Sequence, residues 1–170
     1  MKTNIKTTTD AVRRIIFLDF DGVLRPLAGR TDRDGWAPES VGALNYLTDN
    51  SGAEIVVSST WRNDYSLRAL TQLLRSKEVR GEIVGTTPKS YAADDARLIV
   101  PGVTRGEEIR QWLEKNGPAE FVIIDDGRDL EPFNHRFVRT DSREGLKRRH
   151  ADQALRFFSL DSSSQEEDVA

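Results

Sequence analysis

Apolar residues in this chain gather into short, dense runs separated by longer polar stretches. The first is Arg14-Ile15-Ile16-Phe17-Leu18-Asp19-Phe20, which stops at the turn signal Asp21-Gly22. Similar runs are Glu54 to Ser58, Glu82 to Gly85 and Phe121-Val122-Ile123-Ile124, with a weaker one from Arg136 to Thr140. Runs this short and this continuous predict strands covered on both faces. Between them the apolar spacing turns helical. Pro38-Glu39 is a helix start, Val41, Leu44 and Leu47 follow on one face, and Gly52 suits the end. Leu67, Leu70, Leu73 and Leu74 predict a helix from about Asn63 to Ser76. Further helices are expected over Gly106–Asn116 and Glu144–Phe158, the last with Leu146, Ala154, Leu155 and Phe158 facing inward. Residues 25–38, with Pro26, Gly29, Gly35 and Pro38, and 86–104, with Pro88, Pro101 and Gly102, read as loops.

Strands alternating with helices predict an α/β fold, a Rossmann-like three-layer sandwich around a central parallel sheet. Ligands of such sheets sit beyond the carboxyl ends of the strands. The expected organisation is a loose arm over residues 1–12, one domain over 13–160, and a serine-rich, acidic tail over 161–170 that composition predicts to be disordered.

Composition narrows the chemistry. The 170 residues suffice for one domain with a core of its own. There is no cysteine, which excludes disulfides, thiolate metal sites and cysteine nucleophiles. The net charge of -3 carries no bulk basic signal for nucleic acid, although a local basic groove is compatible with it. No apolar run is long enough to span a bilayer, and MKTNIKTTTD lacks a secretory apolar stretch, so a cytoplasmic location is expected.

The residues that carry chemistry stand at strand ends. Asp19 and Asp21 leave the first strand together. Carboxylates are the hard oxygen ligands that Mg²⁺ prefers, and an aspartate is also able to attack phosphorus. Asp125-Asp126-Gly127-Arg128-Asp129 ends another strand, and two acidic groups on one rim repel strongly without a cation. Ser58, Ser59 and Thr60 follow the second strand, where hydroxyls and backbone N–H groups hold phosphate oxygens. Arg105 lies at a helix start, where its guanidinium could fork onto a phosphate. Taken singly, each has a plainer explanation: a turn at Asp21-Gly22, a helix cap at the serines, a surface arginine at position 105.

Taken in order, they resemble a known set. Asp19-Phe20-Asp21-Gly22-Val23-Leu24 looks like the first motif of the haloacid dehalogenase-like (HAD) superfamily. The serines after Ile55-Val56-Val57 match the second motif, Arg105 the third, and Asp125 with Asp126 or Asp129 the fourth. Ser58-Ser59-Thr60-Trp61-Arg62, Arg105-Gly106-Glu107-Glu108-Ile109 and Ile124-Asp125-Asp126 further resemble the HAD domain of Swiss-army-knife RNA-repair proteins. The resemblance implies a Mg²⁺-dependent phosphatase with Asp19 as nucleophile and Asp21 as general acid/base. Ser59, or Ser58, would hold the phosphate, and Arg105, with Lys89 as competitor, would be the third-motif cation. Asp19, Asp21, Asp125 and Asp126 would hold the metal, and Ser58, Thr60 and Arg62 would bind substrate. A non-catalytic phospho-ligand module and a phosphotransferase are the alternatives.

About 35 residues separate Asp21 from Ser58 and about 45 separate Ser59 from Arg105, too few for a large cap domain. An open site is expected, and by resemblance the substrate is a nucleotide or a phosphorylated nucleic-acid end. Arg25, Arg30, Arg33, Arg62 and Arg128 fall in or near rim loops and could form a positive funnel. Trp36 and Trp61 could stack on a base, though such residues more often pack against the body. Lys147-Arg148-Arg149-His150 reads as the wet face of the last helix, and His135 and His150 receive no role.

Overall fold

A computed structural model describes residues 12–89, 103–128 and 130–163, with side chains through 159. Among the described residues, five strands and four helices follow in chain order, alternating as far as β4: β1 (Arg14–Leu18), α1 (Pro38–Ser51), β2 (Glu54–Val57), α2 (Leu67–Ser76), β3 (Ile83–Thr86), α3 (Arg105–Asn116), β4 (Glu120–Asp125), β5 (Phe137–Arg139) and α4 (Arg148–Ser163). The sheet order is β3-β2-β1-β4-β5, and every pairing is parallel. This is the expected Rossmann-like sandwich. Among the described residues no cap domain interrupts it, and no described helix is long and apolar enough to cross a membrane.

Side chains alternate across each strand, so one apolar run feeds two cores. Ile16, Leu18, Ile55, Val57, Val122, Ile124 and Val138 point to one face, where α1, α2 and α4 bring Leu44, Leu47, Leu70, Leu74, Ala154 and Phe158. Ile15, Phe17, Val56 and Ile123 point to the other, against Ile109 and Trp112 of α3 and Leu130. The Trp112 ring stands edge-on to Phe17 at 5.4 Å and 84°. Doubly covered strands explain why the runs are continuous rather than alternating.

Several boundaries differ from the sequence reading. The second helix starts at Leu67, not Asn63, because Thr60–Asn63 forms a separate 3-10 turn and Ser66 caps the helix, accepting the Ala69 N–H at 3.2 Å. The last helix starts at Arg148, not Glu144. Residues 141–145 close a tight loop first, and the Leu146 N–H is drawn to the Val23 carbonyl at 2.8 Å. At its other end α4 runs to Ser163, three residues into the segment expected as tail. The N-terminal arm before residue 12, most of the 86–104 loop, and the chain after residue 163 lie outside the described residues.

His150 also departs from expectation. Arg148 and Arg149 are exposed, but His150 is buried, and its Nδ1 accepts the Lys147 N–H at 3.0 Å. Burial, followed by the Arg149 cation, holds its pKa below the ordinary histidine value; Lys147 adds to this and Glu144 opposes it. A depressed folded pKa favours the neutral ring in the native state. Its contribution is complete above the unfolded value of about 6.5 and is lost as pH falls below it. His150→Asn, whose side-chain oxygen accepts the same N–H without titrating, should therefore lose less stability than wild type between pH 7.5 and 5.5. Urea midpoints at the two pH values decide this, and parallel losses would refute it.

Candidate active site

The site forms where chain direction reverses within the sheet. From β1 the chain proceeds to β2 and β3 on one side, and β4 and β5 lie on the other. The crevice between the ends of β1 and β4 is thus a topological switch point. Asp19 emerges from β1 and Asp125 ends β4, both nearly buried at 7% and 4% exposure. The Asp19 N–H donates to the Ile124 carbonyl at 3.0 Å, extending the β1–β4 ladder one residue past the strand and aligning the two acids. Each carboxylate is fixed by a backbone donor, Asp19 Oδ1 by Phe20 N–H and Asp125 Oδ1 by Gly127 N–H, both at 2.8 Å.

Asp126 completes the group. Gly22 adopts φ +73°, and a Cβ there would overlap the Asp126 carboxylate. Glycine at position 22 therefore serves both the turn and the close approach of the acid. Carboxylate oxygens of Asp19, Asp125 and Asp126 lie within 4.8 Å of one another. Arg105, at the start of α3, reaches into the cluster. Its Nη1 donates to Asp125 Oδ2 at 2.7 Å and lies 3.4 Å from Asp19 Oδ1. Lys89, the competing cation, instead donates to the Asn63 carbonyl at 3.2 Å.

Three carboxylates against one guanidinium leave surplus negative charge. Burial pushes the Asp125 carboxyl up to about 6, with Arg105 opposing and Asp19 adding. Burial and then Asp19 raise Asp126 as well. Such a group of hard oxygen donors, two of them buried and mutually repelling, fits Mg²⁺ in donor type and in charge.

The remaining expected residues take varied places. The Asp21 carboxylate lies outside this cluster and is 55% exposed; Arg25 Nη1 holds one oxygen at 2.5 Å and Trp61 Nε1 the other at 2.9 Å. Ser58 and Ser59 are fully buried, and neither hydroxyl has a hydrogen-bond partner among the described residues. Thr87 Oγ1, after β3, shares that condition; Thr87 escaped the sequence reading because one threonine in a loop carries no pattern. Thr60 is exposed.

Arg62 corrects the picture of an open arginine rim. It is 1% exposed, pairs with Glu108 of α3 at 2.5 Å, and donates to the carbonyls of Ser58, Ser59 and Pro88. Arg25 is engaged with Asp21, and Arg33 stands 3.7 Å from Asp34. Arg30 and Arg128 are exposed, as is Arg143 of the loop after β5. Trp36 is buried against Phe20, with ring centroids 5.4 Å apart, so it offers no face to a base. Asp129 lies outside the described residues.

Sequence reasoning also missed Glu108 and the contacts of Arg25. Glu108 sits in a polar stretch of α3, and its partner lies in a distant loop, so nothing local marks it as buried. The Asp21–Arg25 spacing of four residues was a usable signal for an ion pair.

No curated protein matches the chain. A family described as the HAD domain in Swiss Army Knife RNA repair proteins matches residues 15–151, from β1 into α4. That span contains the sheet apart from Arg14, the carboxylate cluster and Arg105. The chain therefore belongs to the family of the HAD domain in Swiss Army Knife RNA repair proteins, a phosphohydrolase-type family.

Proposed function

We propose that this protein is a Mg²⁺-dependent phosphohydrolase that works through an aspartyl-phosphate on Asp19. The observation that carries the reading is the group of Asp19, Asp125 and Asp126, two of them buried, with Arg105 on Asp19 and Asp125 at the sheet's switch point. Asp19, Asp125 and Asp126 would hold the metal, with Asp21 contributing beside them, and the cation would cancel the repulsion between a carboxylate and an incoming phosphate.

In the first step an Asp19 carboxylate oxygen attacks phosphorus. The bond from phosphorus to the leaving oxygen breaks, its electron pair stays on that oxygen, and protonated Asp21 supplies the proton. In the second step water attacks the phosphorus, ionised Asp21 takes a water proton, and the Asp19–phosphorus bond breaks. Inorganic phosphate leaves and both acids return to their starting states. The unpartnered hydroxyls of Ser58 and Ser59 are free to donate to phosphoryl oxygens, which would offset the cost of burying them. Arg105 answers the remaining phosphoryl charge. Thr60, next in the chain and exposed, would add a further substrate-binding hydroxyl. Arg62 acts from beneath by fixing the carbonyls of the serine loop.

The substrate we propose is a phosphorylated nucleic-acid end. The family's RNA-repair description supports it, as do the uncapped rim and the exposed Arg30, Arg128 and Arg143 on the loops after β1, β4 and β5. Phosphate release should be measured on 3′- and 5′-phosphorylated oligonucleotides, nucleotides and sugar phosphates. Release is expected from oligonucleotide ends with Mg²⁺, with loss in EDTA and recovery on adding Mg²⁺ back. Full activity in EDTA would overturn the metal's role. No turnover of any substrate by the folded protein would overturn the function.

A further inference from the structure

Asp21 is held in an unusual way for a half-exposed side chain. Both of its oxygens are occupied, one by the Arg25 guanidinium and one by the Trp61 indole N–H. Each donor has further contacts of its own. Arg25 is folded back over Asp21 by the 20–25 turn, in which the Val23, Leu24 and Arg25 N–H groups all donate to the Phe20 carbonyl and Gly22 N–H donates to the Arg25 carbonyl. Its guanidinium is anchored again on the Asp34 carbonyl, at 3.2 Å from Nη2. It also lies over the Trp61 ring, 4.9 Å from the centroid.

The indole is fixed in turn. Phe20 and Trp36 meet it edge-on at 5.9 and 6.1 Å, and Tyr65 stacks against it at 5.7 Å and 26°. Three aromatic rings thus pack around the indole, and that indole and an anchored guanidinium hold one surface carboxylate. Stability does not explain this, because an ion pair with one partner this exposed adds little. Positioning does. A proton donor acts only within hydrogen-bond reach of the leaving oxygen, and a free aspartate side chain would spend most of its time elsewhere.

We propose that Arg25 and Trp61 are positioning residues for Asp21, fixing its carboxylate beside the cluster of Asp19, Asp125 and Asp126 but outside it. The proposal rests on the reading of Asp21 as proton donor. Among these acids Arg25 and Trp61 donate to Asp21, not to Asp19, Asp125 or Asp126, and so act through Asp21.

The test uses leaving groups of different need. A phosphorylated oligonucleotide end releases an alkoxide, which needs a proton as it departs. p-Nitrophenyl phosphate releases a phenolate that is stable without one. The quantity compared is kcat/KM, which covers only the steps through departure of the leaving group. Trp61→Phe keeps a ring but loses the N–H, and Arg25→Met keeps bulk but loses the charge. Both should lose about tenfold or more on the oligonucleotide and much less on p-nitrophenyl phosphate, with Asp21→Asn showing the same split more strongly. Arg25→Lys, charged but without the planar fork, should fall between wild type and Arg25→Met. Thermal midpoints report any loss of folding, and agreement between the two unrelated variants separates positioning from packing. Equal losses on both substrates, or none on the oligonucleotide, would overturn the proposal. Asp19→Asn is assayed alongside. Full turnover by that variant, or none by wild type, overturns the aspartyl-phosphate reading, and with it the positioning role. Loss in Asp19→Asn without the split overturns the positioning role alone.

Discussion

Asp19→Asn is expected to lose at least about a thousandfold in phosphate release while remaining folded. The amide is nearly isosteric with the carboxylate, and its oxygen still accepts the Phe20 N–H that fixes Asp19 Oδ1. What disappears is the attacking anion. Its neighbours give the variant a second signature. Asp19 lies within 4.8 Å of Asp125 and Asp126, and it raises the proton affinity of both. Removing one of three crowded negative charges relieves repulsion that the Arg105 guanidinium only partly cancels. Without metal the variant should therefore be at least as heat-stable as wild type. With Mg²⁺ it should gain less, because binding energy becomes folding stability and one ligand has been neutralised. Calorimetry with and without Mg²⁺ tests the stability half, and phosphate release tests the other. Turnover near the wild-type rate would remove Asp19 as nucleophile. A metal-free variant much less stable than wild type would contradict the charge balance drawn for the cluster.

Glu108→Ala should be the most damaging single change away from the carboxylates. It removes the carboxylate that pairs at 2.5 Å with the Arg62 guanidinium, itself 1% exposed. Removing one member of a buried ion pair costs about 3–5 kcal/mol, because the other charge stays desolvated and unmatched. Domains are stable by only about 5–15 kcal/mol, so the loss is a large share of the whole. The thermal midpoint should fall by on the order of 10 °C. Glu108→Gln retains an acceptor of the same shape and should lose less. The effect should also reach activity. The same guanidinium donates to the Ser58 and Ser59 carbonyls at 2.8 and 2.9 Å, so it ties the serine loop after β2 to the helix that begins with Arg105. Urea unfolding of both variants, with phosphate release measured at a temperature where they remain folded, checks both halves. A Glu108→Ala midpoint equal to that of wild type would refute the account.

Local pattern determined a great deal about this protein. Continuous apolar runs marked the strands, because doubly covered strands have no polar face to alternate with. Strand–helix alternation then implied a parallel sheet, and the carboxyl-end rule put Asp19, Asp21, Ser58, Ser59, Asp125 and Asp126 on one rim. Tertiary structure decided what those residues face. It brought Asp126 rather than the Asp21 side chain to the Asp19–Asp125 pair, and Arg105 rather than Lys89 to the acids. It buried Arg62 against Glu108 and turned Trp61 and Arg25 onto Asp21. It also moved the starts of α2 and α4, where capping and long-range backbone hydrogen bonds outweighed the apolar spacing. The division follows from range. Burial periodicity and turn chemistry act over a few residues and leave a mark in the sequence, whereas a contact such as Trp61 with Asp21 joins residues forty apart and exists only after the sheet has aligned them.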